Sequence, residues 1–256
     1  MNAVRIRIPS ARHAATVLMF IVVPLTLLST VGQLSKYVLG HPKLKGFVPL
    51  FYLDLESNVP TWYSSFGLAA AAVVLGLIAM VKLARHDAYR RHWAFLSGLF
   101  WLLSIDEVAM IHELPIDPLR ERFHTTGLLY YPWVIFGLLF VGLVGISLLG
   151  FLRHLPAPTR NGFLLAGLVF VGGAIGVEML SGVQADLCGE ENLTYAMITT
   201  VEEFMEMTGV VILIYFALRY LHQECGQGCL TFGAERPAAP RALGVSARVS
   251  SKDHLN

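Results

Sequence analysis

The chain has 256 residues, of which 55% are hydrophobic and only 14% charged, with a net charge of +1 and a mean hydropathy of +0.60. That balance excludes an ordinary soluble domain, and so small a net charge excludes a broad basic field for nucleic acid. The composition is that of an all-α, polytopic membrane protein, with membrane lipid as its expected partner and the plasma (inner) membrane as its expected location.

A basic segment, 1–13, carries Arg5, Arg7 and Arg12. It precedes a transmembrane domain expected over 14–221. A bilayer crossing needs roughly 20 apolar residues at about 1.5 Å each, and six runs qualify, at about 14–39, 61–82, 93–114, 131–152, 161–184 and 193–221. Pro42, Pro60, Pro115, Pro132, Pro156 and Pro158 punctuate their ends, as expected of helix boundaries. The runs are rich in Leu, Ala and Gly without strand-like alternation, so helices are expected rather than the wall of a barrel. The first run, with its apolar core from Val17 to Val31, also has features of a secretory signal. No small-residue cleavage site of the A-x-A kind follows it, so a retained helix is expected.

Orientation follows from the bases. The connection "KLARHDAYRRH" holds Lys82, Arg85, Arg90 and Arg91, and "RHLPAPTRN" holds Arg153 and Arg160. The fifth connection, "QADLCGEENL", is purely acidic, with Asp186, Glu190 and Glu191. This asymmetry places both termini in the cytoplasm. The first connection is a weaker vote, because Lys43 and Lys45 oppose Asp54 and Glu56.

Acids interrupt three of the apolar runs. The stretch "FWLLSIDEVAMIHE" brings Asp106, Glu107, His112 and Glu113; the fifth run brings Glu178; the sixth brings Glu202, Glu203 and Glu206. At 1.5 Å per residue, Asp106 and Glu178 lie about 10 Å below the outer surface, and the last three lie about 13–20 Å along their helix. Three helices distant in sequence thus bring acids to the outer half of the membrane. Glu202, Glu203 and Glu206 share an arc of about 100° on one helix face, whereas Glu107 points about 100° away from Asp106. Glu107 is therefore not expected in the same site. Glu178 shares its face with Gly167, Ala174, Ser181 and Gly182, small residues that admit a close neighbour.

Seven acids and one imidazole lie in these three runs without a Lys or Arg until Arg219. An unpaired carboxylate in the membrane is expensive, so protons or a cation must neutralise the cluster. The expected ligand set is Asp106, His112, Glu113, Glu178, Glu202, Glu203 and Glu206. Carboxylates with one imidazole suit a divalent ion such as iron, manganese, magnesium or calcium. Zinc fits less well, because catalytic zinc uses more His or Cys.

Three functions remain open at this point: a metal-dependent membrane enzyme acting on a lipid or other apolar substrate, a proton or cation transporter or channel, and an accessory or assembly protein with a structural acid cluster. The sequence contains no phosphate loop, no G-x-S-x-G elbow and no H-E-x-x-H helix. Cys225 and Cys229 in "CGQGC" read as linker residues, and Cys188 stands alone. Residues 222–256, rich in Gly, Ala, Pro, Arg and Ser, are expected to form a disordered cytoplasmic tail.

Overall fold

Ser10 opens the first long helix: its hydroxyl accepts the backbone N–H of His13 at 3.2 Å, satisfying one of the donors that a helix start leaves free. The computed structural model describes residues 4–225 and 229–232. Helix α1 spans Ala11–Tyr37 and contains Pro24. A one-turn helix, α2 (Phe47–Phe51), and an acid-bearing loop lead to Asn58, whose side chain accepts from Thr61 at 3.2 Å and starts α3, Val59–Ala84. After a turn at the basic connection comes α4, Arg90–Ala109. It returns antiparallel to α3, stitched by Ser104 Oγ donating to Ser65 O at 2.9 Å and Ser97 Oγ to Ala72 O at 2.8 Å. Helix α5, Ile116–Phe123, crosses the acidic end before α6, Trp133–His154. A continuous helical segment then runs through α7 (Ala157–Val171), a π-turn (Gly172–Val177) and α8 (Glu178–Cys188). The long α9, Leu193–Cys225, completes the bundle. Two short strands, β1 (Val4–Arg7) and β2 (Cys229–Phe232), pair antiparallel with Val4 opposite Phe232.

Among the described residues, five helical segments are long and apolar enough to cross a membrane: Ala11–Tyr37, Val59–Ala84, Trp133–His154, Ala157–Cys188 and Leu193–Cys225. Large apolar side chains such as Phe20, Leu143, Ile146 and Leu168 line their outer faces and are more than two-thirds exposed, as a lipid-facing perimeter requires. The fold is therefore that of a helical membrane protein. The third expected run is also a helix, but it is not among these five, and it stops at Ala109 rather than near residue 114. Met110 adopts a left-handed conformation (φ 50°) and its N–H caps Asp106 O at 2.7 Å, which frees residues 110–114 to turn back.

The last helix runs to Cys225, four residues into the stretch expected to be a tail. Its end is fixed by charge: Glu224 accepts from Lys82 Nζ at 2.8 Å, Lys82 also meets Asp87 at 3.3 Å, and Arg85 pairs with Glu224. Cys229 falls in β2, and the remaining tail residues, 226–228 and 233–256, lie outside the described residues. Above this ion cluster the basic half is packed with aromatics. Trp93, almost fully buried, stacks on Tyr220 at 4.9 Å and meets Phe151 edge-on at 5.0 Å.

The acidic half is set by the contact of α9 with the π-turned segment. A Cβ on Gly173 would stand 2.8 Å from Glu202 O, and one on Gly209 would stand 2.8 Å from Phe170 N. Only glycine permits backbones so close. The sequence pointed to Gly167, yet nothing lies within 4 Å of a Cβ there or at Gly176. The π-turn supplies the reason, since one extra residue in a helical turn rotates everything before it relative to everything after it. Gly173→Ala and Gly209→Ala are each expected to destabilise the protein by about 1–3 kcal/mol through overpacking, while Gly167→Ala is neutral or slightly stabilising. Thermal unfolding in detergent checks the ranking; equal effects at all three positions would show that the close approach does not matter.

Candidate functional site: an acid chamber

Asp106 is the first group to place. Its Oδ1 accepts the backbone N–H of His112 at 3.0 Å and its Oδ2 faces His112 Nδ1 at 2.8 Å. One carboxylate therefore closes the end of α4 and fixes the imidazole. The His112 ring packs on Trp133 with centroids 4.9 Å apart, and Trp133 Nε1 donates to Glu178 Oε1 at 2.8 Å. Glu178 is the first residue after the π-turn, and Ser181, one turn on, points its hydroxyl at Glu202 Oε2 at 3.4 Å.

The remaining acids close the ring electrostatically. Glu202 feels the charges of Glu178, Glu203 and Asp54. Glu203 feels Glu206, Glu107, Asp54 and Glu56, while Glu206 feels Glu107, Glu202, Glu178 and Glu56. Glu113, exposed in the turn after α4, acts on His112 and Glu178. Each of the seven residues read from the sequence thus lies within charge range of at least one other of them. The strongest charges on Glu107, Glu178, Glu202, Glu203 and Glu206 come from other acids and, for Glu107 and Glu178, from His112. No Lys or Arg ranks among them. Glu107, Glu178, Glu202, Glu203 and Glu206 are half-buried.

Three members were not foreseen. Glu107, set aside for its angle from Asp106, belongs with the other acids: α4 packs on α3, and Glu107 comes within charge range of Glu206 rather than pointing away. The two carboxyls share the wall of a cavity of about 10 Å³ with Ser64, Tyr63, Leu18 and Phe170, room for about one water. Asp54 and Glu56 come from the connection after α2, where only their charge had been weighed. Their signal was the alternation of apolar and acidic residues in "FYLDLE", the pattern of a segment with one face turned inward.

Asp54 accepts the Tyr52 hydroxyl at 2.8 Å. Burial, with the nearby charges of Glu190 and Glu113, pushes its carboxyl up to about 6. Glu56 is pushed up as well, by burial and by Glu113, and its buried Oε2 has no hydrogen-bond partner among the described residues.

The metal expectation fares less well. Among the described residues, no three His, Cys, Asp or Glu side chains stand together closely enough to hold an ion as they are placed. Asp106 and His112 spend their facing atoms on each other, and the glutamates do not converge on a point. The structure gathers the expected ligands without closing a coordination shell.

The fold and this site define a helical membrane protein whose acidic half gathers several carboxyls with no Lys or Arg among their strongest neighbours. A protein family described as "Domain of unknown function (DUF8692)" matches residues 15–221, which covers all but the outer ends of the first and last long apolar helices. The chain belongs to that family. No curated protein and no solved structure matches it.

Asp54 gives the site a pH signature. Its folded-state value lies above the ordinary 3.8, so the folded protein holds this proton more tightly than the unfolded chain. Its contribution to stability is full below about pH 4 and is lost as pH rises through about 6. Asp54→Asn, which has no charge to bury, is expected to be more stable than wild type by about 1–2 kcal/mol at neutral pH, allowing for partial exposure. The advantage should shrink to nothing near pH 4. Melting temperatures across pH 4–7.5 check this; a constant offset would show that Asp54 is not the titrating group.

Proposed function

We propose that the protein is a six-helix integral membrane protein of the plasma (inner) membrane, with both termini cytoplasmic, whose acid chamber takes a divalent cation from the external side and serves as the centre of a metal-dependent enzyme acting on a lipid or other apolar substrate. Helix α4 is the sixth crossing in this reading: its 20 residues reach about 30 Å. The observation that carries the reading is the assembly of acids from four parts of the chain around one histidine with no Lys or Arg among their strongest neighbours. So many carboxyls in a membrane interior require a positive partner.

His112 adds support. A carboxylate held on Nδ1 fixes the ring and its tautomer and directs Nε2 away, the arrangement that accompanies metal-binding histidines. Glu178, Glu202, Glu203 and Glu206 would supply oxygen ligands, a donor set suited to iron, manganese, magnesium or calcium. Such an ion would supply an activated water or dioxygen. Because no three ligands are closed together beforehand, binding would draw side chains inward, so metal and stability are coupled.

A proton or cation transporter is the second reading, favoured by the cavity at Glu107 and Glu206, which continues the acids toward the bundle centre. Val210, Val211 and Ile214 line its far side, and the Trp93 aromatic layer follows. That closure favours a one-sided site.

Two measurements test this account. Reporter fusions after Arg91 and Arg160 should score cytoplasmic, and fusions after Arg122 and Glu190 external, from the Lys/Arg asymmetry; a cytoplasmic Glu190 would put the acids in the wrong leaflet. Elemental analysis after chelator-free purification should find stoichiometric metal that falls in Glu202→Gln and His112→Ala. Less than about a tenth of an ion per chain would overturn the metalloenzyme reading. In that event, acid-dependent proton flux in proteoliposomes marks a transporter, and neither metal nor flux marks an accessory protein.

A further inference from the structure

Helix α6 is held to the α4 segment at both ends and parted from it between. Trp133, Phe140, Val144 and Phe151 recur at helical spacing and share one face of α6. At the acidic end of that face Trp133 packs on His112, with ring centroids 4.9 Å apart. At the basic end the fully buried Phe151 meets Trp93 edge-on at 5.0 Å and stacks on His92 at 5.6 Å. Between these contacts Phe140 is 44% exposed, Val144 is half-buried and Ser147 is exposed. A stripe of α4 repeats the pattern. His92, Phe95, Leu99, Leu102 and Asp106 follow one another at three or four residues and so share a face. His92 lies on Phe151 and Asp106 holds His112, which turns this face toward α6. Yet Phe95 is 46% exposed and Leu102 54%. The α6 backbone instead draws close to the π-turn, where a Cβ on Gly137 would stand 3.2 Å from Ile175.

The two stripes bound a slot about 20 Å long from His92 to Asp106, at 1.5 Å per residue. Its lining is apolar apart from Ser147, whose hydroxyl is spent on Val144 O at 2.8 Å. What fills it follows from its shape. The aromatic contacts at both ends keep α4 and α6 at neighbouring distance, so a further helix, about 10–12 Å across, cannot enter. Apolar walls do not hold water, and packed interiors leave few voids larger than a water molecule. In a bilayer the occupant that remains is an extended hydrocarbon chain. The slot exceeds the roughly 15 Å depth of one leaflet's hydrocarbon, so it takes such a chain in full. At its acidic end stand the Asp106 carboxyl and the His112 ring, beside Trp133 and the Glu178 that Trp133 holds.

We propose that the slot between α4 and α6 holds one acyl chain of a membrane phospholipid, which enters sideways from the bilayer and brings the polar end of that chain to Asp106, His112 and Glu178. The chain's place follows from the slot itself; its role as substrate rests on the reading of the acids as an enzyme centre, with α4 crossing the bilayer. An entrance of this kind suits a substrate that never leaves the membrane, because the chain passes from lipid to protein without meeting water. It also names the class of substrate: a lipid with at least one extended chain, cut or modified near its polar end.

The test traps the chain where it lies. Full-length protein is placed in nanodiscs of phosphatidylcholine, a small share of which carries a diazirine in one acyl chain, then irradiated and mapped by peptide mass spectrometry. Adducts are expected on Leu102 and Phe140 in the slot and on Ile146, which is 70% exposed on the far side of α6. When loosely held lipid is washed away in detergent before irradiation, the adducts at Leu102 and Phe140 should persist and the one at Ile146 should be lost. Leu102→Trp, which fills the slot, should abolish the persistent adduct at Phe140, whereas Ile146→Trp should leave it. The wild-type comparison needs no variant, so it decides the matter if Leu102→Trp fails to fold. Loss of all three adducts on washing, or none at Leu102 and Phe140 from the start, would overturn the slot; so would a Phe140 adduct that survives in folded Leu102→Trp. Persistent adducts in protein that elemental analysis finds free of metal would keep the slot and end the metalloenzyme reading. Stoichiometric metal without those adducts would do the reverse.

Discussion

The acidic end depends on how closely α9 can lie against the segment that bends at Gly172–Val177. Gly173 faces the Glu202 carbonyl, and Gly209 faces the backbone of Phe170. A methyl group at either point would force the helices apart. The π-turn matters as much as the glycines, because it sets the rotation of α8 relative to α7 and so brings Glu178 to face Trp133 and His112. Spread this contact, and Glu178 leaves Glu202; straighten the turn, and Glu178 points to lipid. In a membrane, where lipid is as apolar as any side chain, such close backbone packing is a main source of helix association.

That packing carries an electrostatic cost at one end and offsets it with a tight closure at the other. At the basic end the buried Lys82 has Glu224 and Asp87 as partners, and the half-exposed Arg85 also pairs with Glu224. At the acidic end the carboxyls have mainly one another and a single imidazole already committed to Asp106. The contrast argues against a merely structural acid cluster, since the same chain shows how it neutralises charge when stability is the only requirement. A site that keeps its acids uncompensated is poised to accept protons or a cation.

Much of this was legible in the sequence, and the misses have physical causes. The long helices were set by apolar run length, and their ends fell within a few residues of the proline and charge boundaries. The run at 93–114 ended early because Asp106 serves as a local cap to the turn at Met110, a role invisible to hydropathy. The six acids and one histidine of the expected set come within range of one another's charges. Glu107 was misjudged because a helix angle says which residues share a face, not which neighbours that face meets. Asp54 and Glu56 were misjudged because a connecting loop was read only for its charge. Gly173 replaced Gly167 as the contact residue because a π-turn leaves no clear mark in one sequence. The last helix outran its expected end because Glu224 had partners 140 residues away.

The central claim is that protons and a divalent cation compete for the same carboxyls. Proton release on adding Mn2+ to weakly buffered, nanodisc-embedded protein measures this competition directly. The account predicts at least about one proton released per ion bound, because ligands must be deprotonated to coordinate, with the release diminished in Glu202→Gln and Glu206→Gln. Mn2+ that neither binds nor displaces a proton, with Ca2+, Mg2+ and Fe2+ behaving alike, would contradict it.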